Sequence, residues 1–303
     1  MTEMTDLQQK LAGFSCRCEL KFNEPMSRHT SFRIGGDAEV FAMPKNREEL
    51  AEILRIAADM GVKPAILGAG TNVLAPDAGL CGIVICLKDC LDGMEVLDEY
   101  HIRVMAGVTM TRAAIFAANH GLAGMEFAHG IPGTIGGGVF MNAGAYGGEM
   151  KDIVESVEIM DFSGNTTTLS NEEMGFSYRH SRLETSGEIV ISAVFCLVAG
   201  ESEAIKETMR VLQAKRSASQ PLDMPSAGSA FKRPVGGYAA ALIDQAGLKG
   251  YQVGGAEIST KHAGFAVNLG GATAADVRAL LQQVSDIVYE KNGIRLEPEV
   301  RIW

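Results

Sequence analysis

Apolar residues recur along this chain at two spacings, and each spacing predicts a different element. Leu50, Ile53, Leu54 and Ala57 fall three and four positions apart, one face of a helix from about Arg47 to Met60. Asn46 stands at the N-cap, Glu49 follows in a capping-box-like position, and Gly61 supplies the stop. Val277, Leu280, Leu281, Val284 and Val288 repeat the pattern from about Ala274 to Lys291, a helix started by Thr273 and Asp276 and ended by Gly293. Weaker helical patterns cover Thr111 to His120, Glu201 to Ala218 and Tyr238 to Gln245. Short β-rich runs lie near Ala38–Met43, Ala65–Leu67, Ile83–Leu87, Ile102–Ala106, Val157–Asp161, Ile189–Val198 and Phe265–Asn268. They do not alternate with helices in the steady rhythm of a doubly wound sheet, so the expected class is α+β.

Two stretches break the pattern. Gly130 to Gly148 carries no charge and is as long as a membrane span, but eight of its residues are glycine and Pro132 interrupts it. It reads as a loop system. QPLDMPSAG, from Gln220 to Gly228, contains Pro221 and Pro225 and reads as a connector near the main domain boundary.

Composition sharpens this picture at a few points. The chain has 303 residues, enough for about two domains and a core without disulfides. Its 35 glycines exceed the roughly 7% of average usage and are clustered, so backbone is being brought close to something. A net charge of −10 argues against nucleic-acid or anionic-membrane binding and leaves room for a local phosphate pocket. The six cysteines form no CxxC pair, and no signal-peptide pattern opens the chain, so reduced thiols in the cytoplasm are expected. Cys16 and Cys18 lack the second pair that a zinc site needs, and no metal is expected.

The P-loop, HExxH and GxSxG signatures are absent. Gly68-Ala69-Gly70 follows a strand-like run, but the third glycine of a dinucleotide fingerprint is missing and Pro76 falls where its helix would continue. What remains, GAGTNVL, serves equally well as an ordinary turn or as a phosphate nest carrying Thr71 and Asn72. IPGTIGGGVFMNAGAYGGE, with Gly133, Thr134, Gly136, Gly137, Gly138, Asn142 and Tyr146, suits a large flat ligand lying against backbone. The polar groups of FSYRHS, AGSAFKRP and LEPEVRIW are each uninformative alone. Lys215 and Arg216 read as a solvated helix end. The six histidines are not spaced for a metal; His129, just before the glycine cluster, is the one to watch, since some flavoproteins attach their cofactor through histidine.

In this order, HTSFRIGGDAEVFAMP, LGAGTNVLAPDAG, GIPGTIGGGVFMNAGAYGGE, FSYRHSRL, SAGSAFKRP, KHAGFAVNLGGATAADV and LEPEVRI closely resemble the UDP-N-acetylenolpyruvoylglucosamine reductases, in their shorter form, from about Phe22 to Trp303. The resemblance implies an N-terminal extension over 1–21, an FAD-binding domain of two α+β subdomains of the p-cresol methylhydroxylase type over 22–200, and a substrate-binding domain over 201–303 whose last segment returns to the active site. It implies noncovalent FAD and NADPH as co-substrate, with the FAD pyrophosphate held by Gly68, Gly70, Thr71 and Asn72 on one side and by Gly133, Thr134, Gly136, Gly137 and Asn142 on the other. Ala69 and Thr71 stand where the family more often has Gly and Ser.

The implied reaction is a two-step reduction in which NADPH reduces the flavin, leaves, and is replaced by UDP-N-acetylglucosamine enolpyruvate, whose C3 takes the hydride. By family analogy Arg179 and Glu299 support the substrate carboxylate, Ser229 protonates C2, and Tyr146, Tyr178 and Lys232 contact the substrate. A monomer acting in the cytoplasm on peptidoglycan precursors is expected. An oxidase of the same fold, which would not need Ser229, and a non-catalytic flavin-binding protein remain the alternatives.

Overall fold

A computed structural model describes residues 4–13, 18–88 and 90–303; Cys16 lies outside the described residues. The helices are α1 (Asp6–Ala12), α2 (Arg47–Asp59), α3 (Met110–Asn119), α4 (Ile135–Phe140), α5 (Leu183–Ser186), α6 (Ser202–Ser219), α7 (Ala239–Gln245) and α8 (Ala274–Asn292). The strongly periodic helices α2 and α8 form where expected because pattern and caps agree. Asn46 accepts the Glu49 N–H at 2.9 Å, although the Glu49 carboxylate reaches back to the Lys45 N–H rather than to the cap itself. In α8 the capping box of Thr273 and Asp276 is complete, and Gly293 ends the helix at φ +70°.

The chain divides into two compact units that interleave in sequence, whereas the domains implied by the resemblance are contiguous. The first takes Met1–Asn23, Glu39–Ala69 and Cys81–Ala214. A four-stranded sheet runs in the order Glu19–Pro25, Asp37–Met43, Leu80–Cys86, Ala65–Leu67, with the last two strands parallel. A five-stranded antiparallel sheet orders Thr166–Ser170, Val154–Met160, Ile189–Cys196, His101–Met105 and Met94–Val96. Leu50, Ile53, Val104, Ala113, Ile191 and Phe195 are among the side chains of its shared core. The stretch before Phe22 supplies α1, which buries Leu7 and Leu11 in that core and ties Gln8 to Asn23 and to the Glu39 carbonyl.

The uncharged glycine run is not wholly a loop, because it contains α4. Glycine disfavours helix, but burial of Ile135 and Val139 on one face and capping by Thr134 override the propensity. Two of its glycines are required by packing. A Cβ on Gly136 would sit 3.1 Å from the Ala106 Cβ, and one on Gly138 2.6 Å from the Met110 sulfur.

The second unit takes Glu24–Ala38, Gly70–Leu80 and Lys215–Trp303. Its antiparallel sheet orders Ser226–Ser229, Phe265–Asn268, Ala256–Ile258 and Gln252–Val253, and α8 contributes Val277, Leu280, Leu281, Val284 and Val288 to the core with Ile243 of α7. The C-terminal strand Arg301–Ile302 pairs in parallel with Val73–Leu74. Arg216 is buried rather than solvated, its Nη1 donating to Gln220 Oε1 at 3.3 Å. Asp77 caps α8 from a distant loop, its carboxylate accepting the Ala274 and Ala275 N–H groups at 2.7 and 3.0 Å. Asp77→Ala is therefore expected to destabilise the protein by about 1 kcal/mol, within the range of about 0.5–2 kcal/mol for a lost N-cap. A urea midpoint indistinguishable from wild type would count against that linkage.

Candidate active site

In the first unit two hairpin tips carry three of the expected site residues. Gly144–Ala145 pairs with Gly148–Glu149 around the two-residue turn Tyr146-Gly147. Both turn residues have positive φ, +54° and +92°, as a type I′ turn demands. Tyrosine is a costly occupant of that position, where Asn, Asp or Gly normally stands. Its ring is exposed. The second tip is closed by mutual backbone hydrogen bonds between Ser177 and His180, leaving Tyr178 and Arg179 at the turn. Arg179 also sits at positive φ, +54°.

Arg179 Nη2 donates to the Gly144 carbonyl at 3.0 Å, and its guanidinium lies 5.0 Å from the Tyr178 ring centre. These contacts fix the cation between the tips. Among the described residues five non-glycine positions have positive φ, and three of them are Asn142, Tyr146 and Arg179. Strain of this kind persists where surrounding structure over-determines it, and it concentrates at functional sites.

Asn142 holds the two tips together. It is fully buried, Nδ2 donates to the Ser177 carbonyl at 2.9 Å and to Glu149 Oε2 at 3.0 Å, and Oδ1 accepts the Lys151 N–H at 2.9 Å. The expected cofactor-binding role for this side chain does not fit the geometry, since its polar atoms are spent inside the protein. Thr134 is likewise buried, its hydroxyl capping α4 through the Gly137 N–H. The Gly68 turn lies against that hydroxyl; a Cβ on Gly68 would come within 2.6 Å of it.

The glycines of α4 divide by what surrounds them. The Gly136 N–H donates to the Ala106 carbonyl at 2.9 Å, so both its amide and its bare face serve internal packing. Gly137 is exposed, and a Cβ there would meet nothing nearer than the Thr134 hydroxyl at 3.6 Å. Internal packing gives no reason for glycine at that position.

In the second unit a β-bulge aims Ser229. Ser226 pairs with Val267 and Ser229 with Phe265, so Ala227 and Gly228 together oppose the single residue Ala266, with Gly228 at φ +76°. Under unbroken alternation Ser229 would share the inward face of buried Ala227; the bulge interrupts the alternation, and Ser229 is exposed between buried Ala227 and Ala230. The C-terminal segment then lies beside this strand. The Glu299 N–H donates to the Ala230 carbonyl at 2.9 Å, Lys232 and Glu297 share a backbone hydrogen bond, and Phe231 bridges Pro298. Glu299, remote in sequence, thus lies on the segment hydrogen-bonded to the residue that follows Ser229.

Lys232 is ion-paired with Glu297, which partly neutralises it as a substrate contact. Gly70, at φ +64°, turns so tightly against the His29 carbonyl oxygen that a Cβ would collide with it. Half-buried Thr71 follows, and the Asn72 carboxamide is turned toward the Glu299 backbone. Sequence reasoning assigns His29 and Ser31 no role, yet Ser31 donates its N–H to the Gly70 carbonyl at 3.0 Å and its hydroxyl to the Ser226 carbonyl at 2.6 Å. No local pattern reports such long-range bonds.

The Nδ1 atom of half-buried His129 is shielded from solvent without a hydrogen-bond partner, and the residue lines a cavity of about 220 Å³ with Ile115, Lys206, Met209 and Arg210. Among the described residues no group of three or more His, Cys, Asp or Glu is arranged to hold a metal ion, and no helix is long and apolar enough to cross a membrane.

A model of an FAD binding domain matches residues 38–170, which defines the class as an FAD-dependent flavoprotein. The UDP-N-acetylenolpyruvoylglucosamine reductase C-terminal domain model matches residues 220–303. The chain is 47% identical to the UDP-N-acetylenolpyruvoylglucosamine reductase of Caldanaerobacter subterraneus subsp. tengcongensis over 98% of this chain and 97% of that protein. It is also 47% identical to the reductase of the same name from Lactobacillus helveticus, over 93% and 94%. The crystal structure of the UDP-N-acetylenolpyruvylglucosamine reductase of Thermus caldophilus superposes with a TM-score of 0.78 at 36% identity, covering 95% of this chain and 99% of that one. An alkyldihydroxyacetonephosphate synthase shares the fold at 17% identity, with a TM-score of 0.50 over 65% of this chain and 41% of that one. This chain belongs to the UDP-N-acetylenolpyruvoylglucosamine reductase family.

Burial pushes the imidazoles of His129 and His262 below their ordinary value. The unfolded chain therefore binds these protons more readily, so stability from the neutral rings is full above about pH 6.5 and is lost as pH falls below it. The urea midpoint is expected to drop between pH 7 and pH 5.5, and His129→Gln together with His262→Gln should flatten that slope. An unchanged slope in the double variant would assign the loss to other groups.

Proposed function

We propose that Arg179, Ser229 and Glu299 carry the substrate chemistry of this FAD-containing, NADPH-dependent oxidoreductase. The reaction reduces UDP-N-acetylglucosamine enolpyruvate to UDP-N-acetylmuramate in peptidoglycan precursor synthesis. The observation that carries the residue assignment is the hydrogen bond from the Glu299 N–H to the Ala230 carbonyl, which sets the C-terminal segment carrying the carboxylate beside the bulge that turns Ser229 outward.

FAD, when bound, would supply the hydride relay between NADPH and C3 of the enolpyruvyl group. The exposed start of α4 at Gly137 fits such a cofactor, because without a side chain there a flat ligand can approach the helix surface closely. Gly68, Gly70 and Thr71 would form the other lip of the pyrophosphate site, and Gly133 would extend the first. The fit requires no covalent attachment through His129.

Hydride arriving at C3 leaves charge at C2 that spreads into the conjugated carboxylate. Arg179, permanently charged and held on the Gly144 carbonyl, is the fixed cation for that charge. Glu299 shares a proton with the same carboxylate. Ser229 then gives its proton to C2, completing addition of one hydride and one proton across the double bond while NADPH becomes NADP⁺. A hydroxyl is a weak acid in water, so it suffices here because the acceptor is a strongly basic carbanion-like centre.

Tyr146 and Tyr178, exposed at their tips, offer stacking surfaces to the substrate, and Lys232 is a weaker contact because Glu297 competes for it. A cytoplasmic monomer completes this reading: both substrates are soluble nucleotides, and a net charge of −10 suits a small-molecule enzyme better than a nucleic-acid binder.

Ser229→Ala is expected to slow reoxidation of the reduced flavin by the enolpyruvyl substrate about 10²–10⁴-fold, while reduction by NADPH falls far less. Equal losses in the two half-reactions, followed anaerobically by flavin absorbance, would refute the proton-donor role. Gly137→Ala should leave the melting temperature of the flavin-free protein unchanged or raised, since alanine favours helix. Its affinity for FAD, titrated by flavin fluorescence, should fall at least tenfold; unchanged affinity would place the cofactor elsewhere.

A further inference from the structure

We propose that Asn72 is a positioning residue for Glu299, acting through the main chain in the substrate half of the reaction rather than chiefly as a ligand of FAD. The inference rests on the reading of Glu299 given above. The Asn72 carboxamide donates Nδ2–H to the Glu299 carbonyl at 3.2 Å, and the Asn72 carbonyl accepts the Arg301 N–H at 3.0 Å. Asn72 therefore grips the C-terminal segment on both sides of buried Val300. From the opposite side the Glu299 N–H donates to the Ala230 carbonyl at 2.9 Å.

The Glu299 peptide is thus held between Asn72 and the strand of Ser229. The turn carrying Asn72 is itself anchored to that strand, because Ser31 bonds both the Gly70 carbonyl and the Ser226 carbonyl. Proton donor and carboxylate gain a common reference in the backbone of a glycine turn. A displacement of a reacting group by about 1 Å can cost on the order of 10²-fold in rate, so a side chain that fixes Glu299 acts on catalysis without touching substrate.

The test uses the full-length FAD-loaded protein and its Asn72→Ala and Asn72→Asp variants; Asp keeps the shape but loses the donor and places charge against the Glu299 carbonyl. Single-turnover flavin absorbance follows reduction by NADPH and reoxidation by UDP-N-acetylglucosamine enolpyruvate, and fluorescence titration gives FAD affinity. The expected result is a reoxidation rate that falls about tenfold further than the reduction rate, with the shift in FAD affinity smaller than either. In a Glu299→Gln background the added Asn72→Ala change should cost less than threefold, because both act through one group. Equal slowing of both half-reactions with a matching loss of FAD affinity would make Asn72 a cofactor ligand and overturn the proposal, as would full additivity with Glu299→Gln. Wild-type protein bleached by NADPH but never reoxidised by the enolpyruvyl compound would instead bring down the underlying functional reading, and the proposal with it.

Discussion

The architecture of the site depends on two places where a backbone can approach only because a side chain is missing. Gly68 lies on the Thr134 hydroxyl in the first unit, and Gly70 lies on the His29 carbonyl in the second. The chain passes from one unit to the other between them. Two residues after Gly70, and within the second unit, Asn72 meets the carbonyl of Glu299 and holds the C-terminal segment. A Cβ on Gly68 would press on the Thr134 hydroxyl, and one on Gly70 would collide with the His29 carbonyl oxygen.

The first unit uses a different device, a pair of hairpin tips stitched by one buried side chain. Asn142 satisfies its own polar atoms and in doing so fixes the bases of both tips. That arrangement supports Tyr146 and Arg179 in left-handed conformations that each cost on the order of 1–2 kcal/mol in a free chain. Substituting glycine would relieve the strain and remove the functional side chain, whereas the folded network keeps both the unfavourable backbone and the cation. Buried polar saturation at Asn142 is what supports the two strained residues at the tips.

Much of this was legible in the sequence, and the illegible part has a common physical form. Helices α2 and α8 carry their information locally, in spacing and caps, and both form as read. The glycine cluster was legible as a place of close approach but not as a helix, because α4 exists through the burial of Ile135 and Val139 rather than through propensity. The pairing of Gly before Ser at 228–229 was the available trace of the bulge, and alone it could not be told from an ordinary turn. The roles of Ser31, Asn72, Asp77 and Asn142 depend on partners up to hundreds of positions away, and no window along the chain contains both halves of such a bond.

The bulge at Gly228 makes the direction of the Ser229 side chain a question of parity. Along a strand successive residues face opposite sides, so orientation is decided by whether the count from the last fixed pair is odd or even. The added residue between Ser226 and Ser229 changes that count once, and the hydroxyl is outward by arithmetic rather than by any attraction drawing it out. Point substitutions nearby leave the count untouched, and a residue gained or lost alters it unless a bulge absorbs the difference, as it does here. The direction of the hydroxyl is therefore a property of the pairing of Ser229 with Phe265 rather than of the side chains around it.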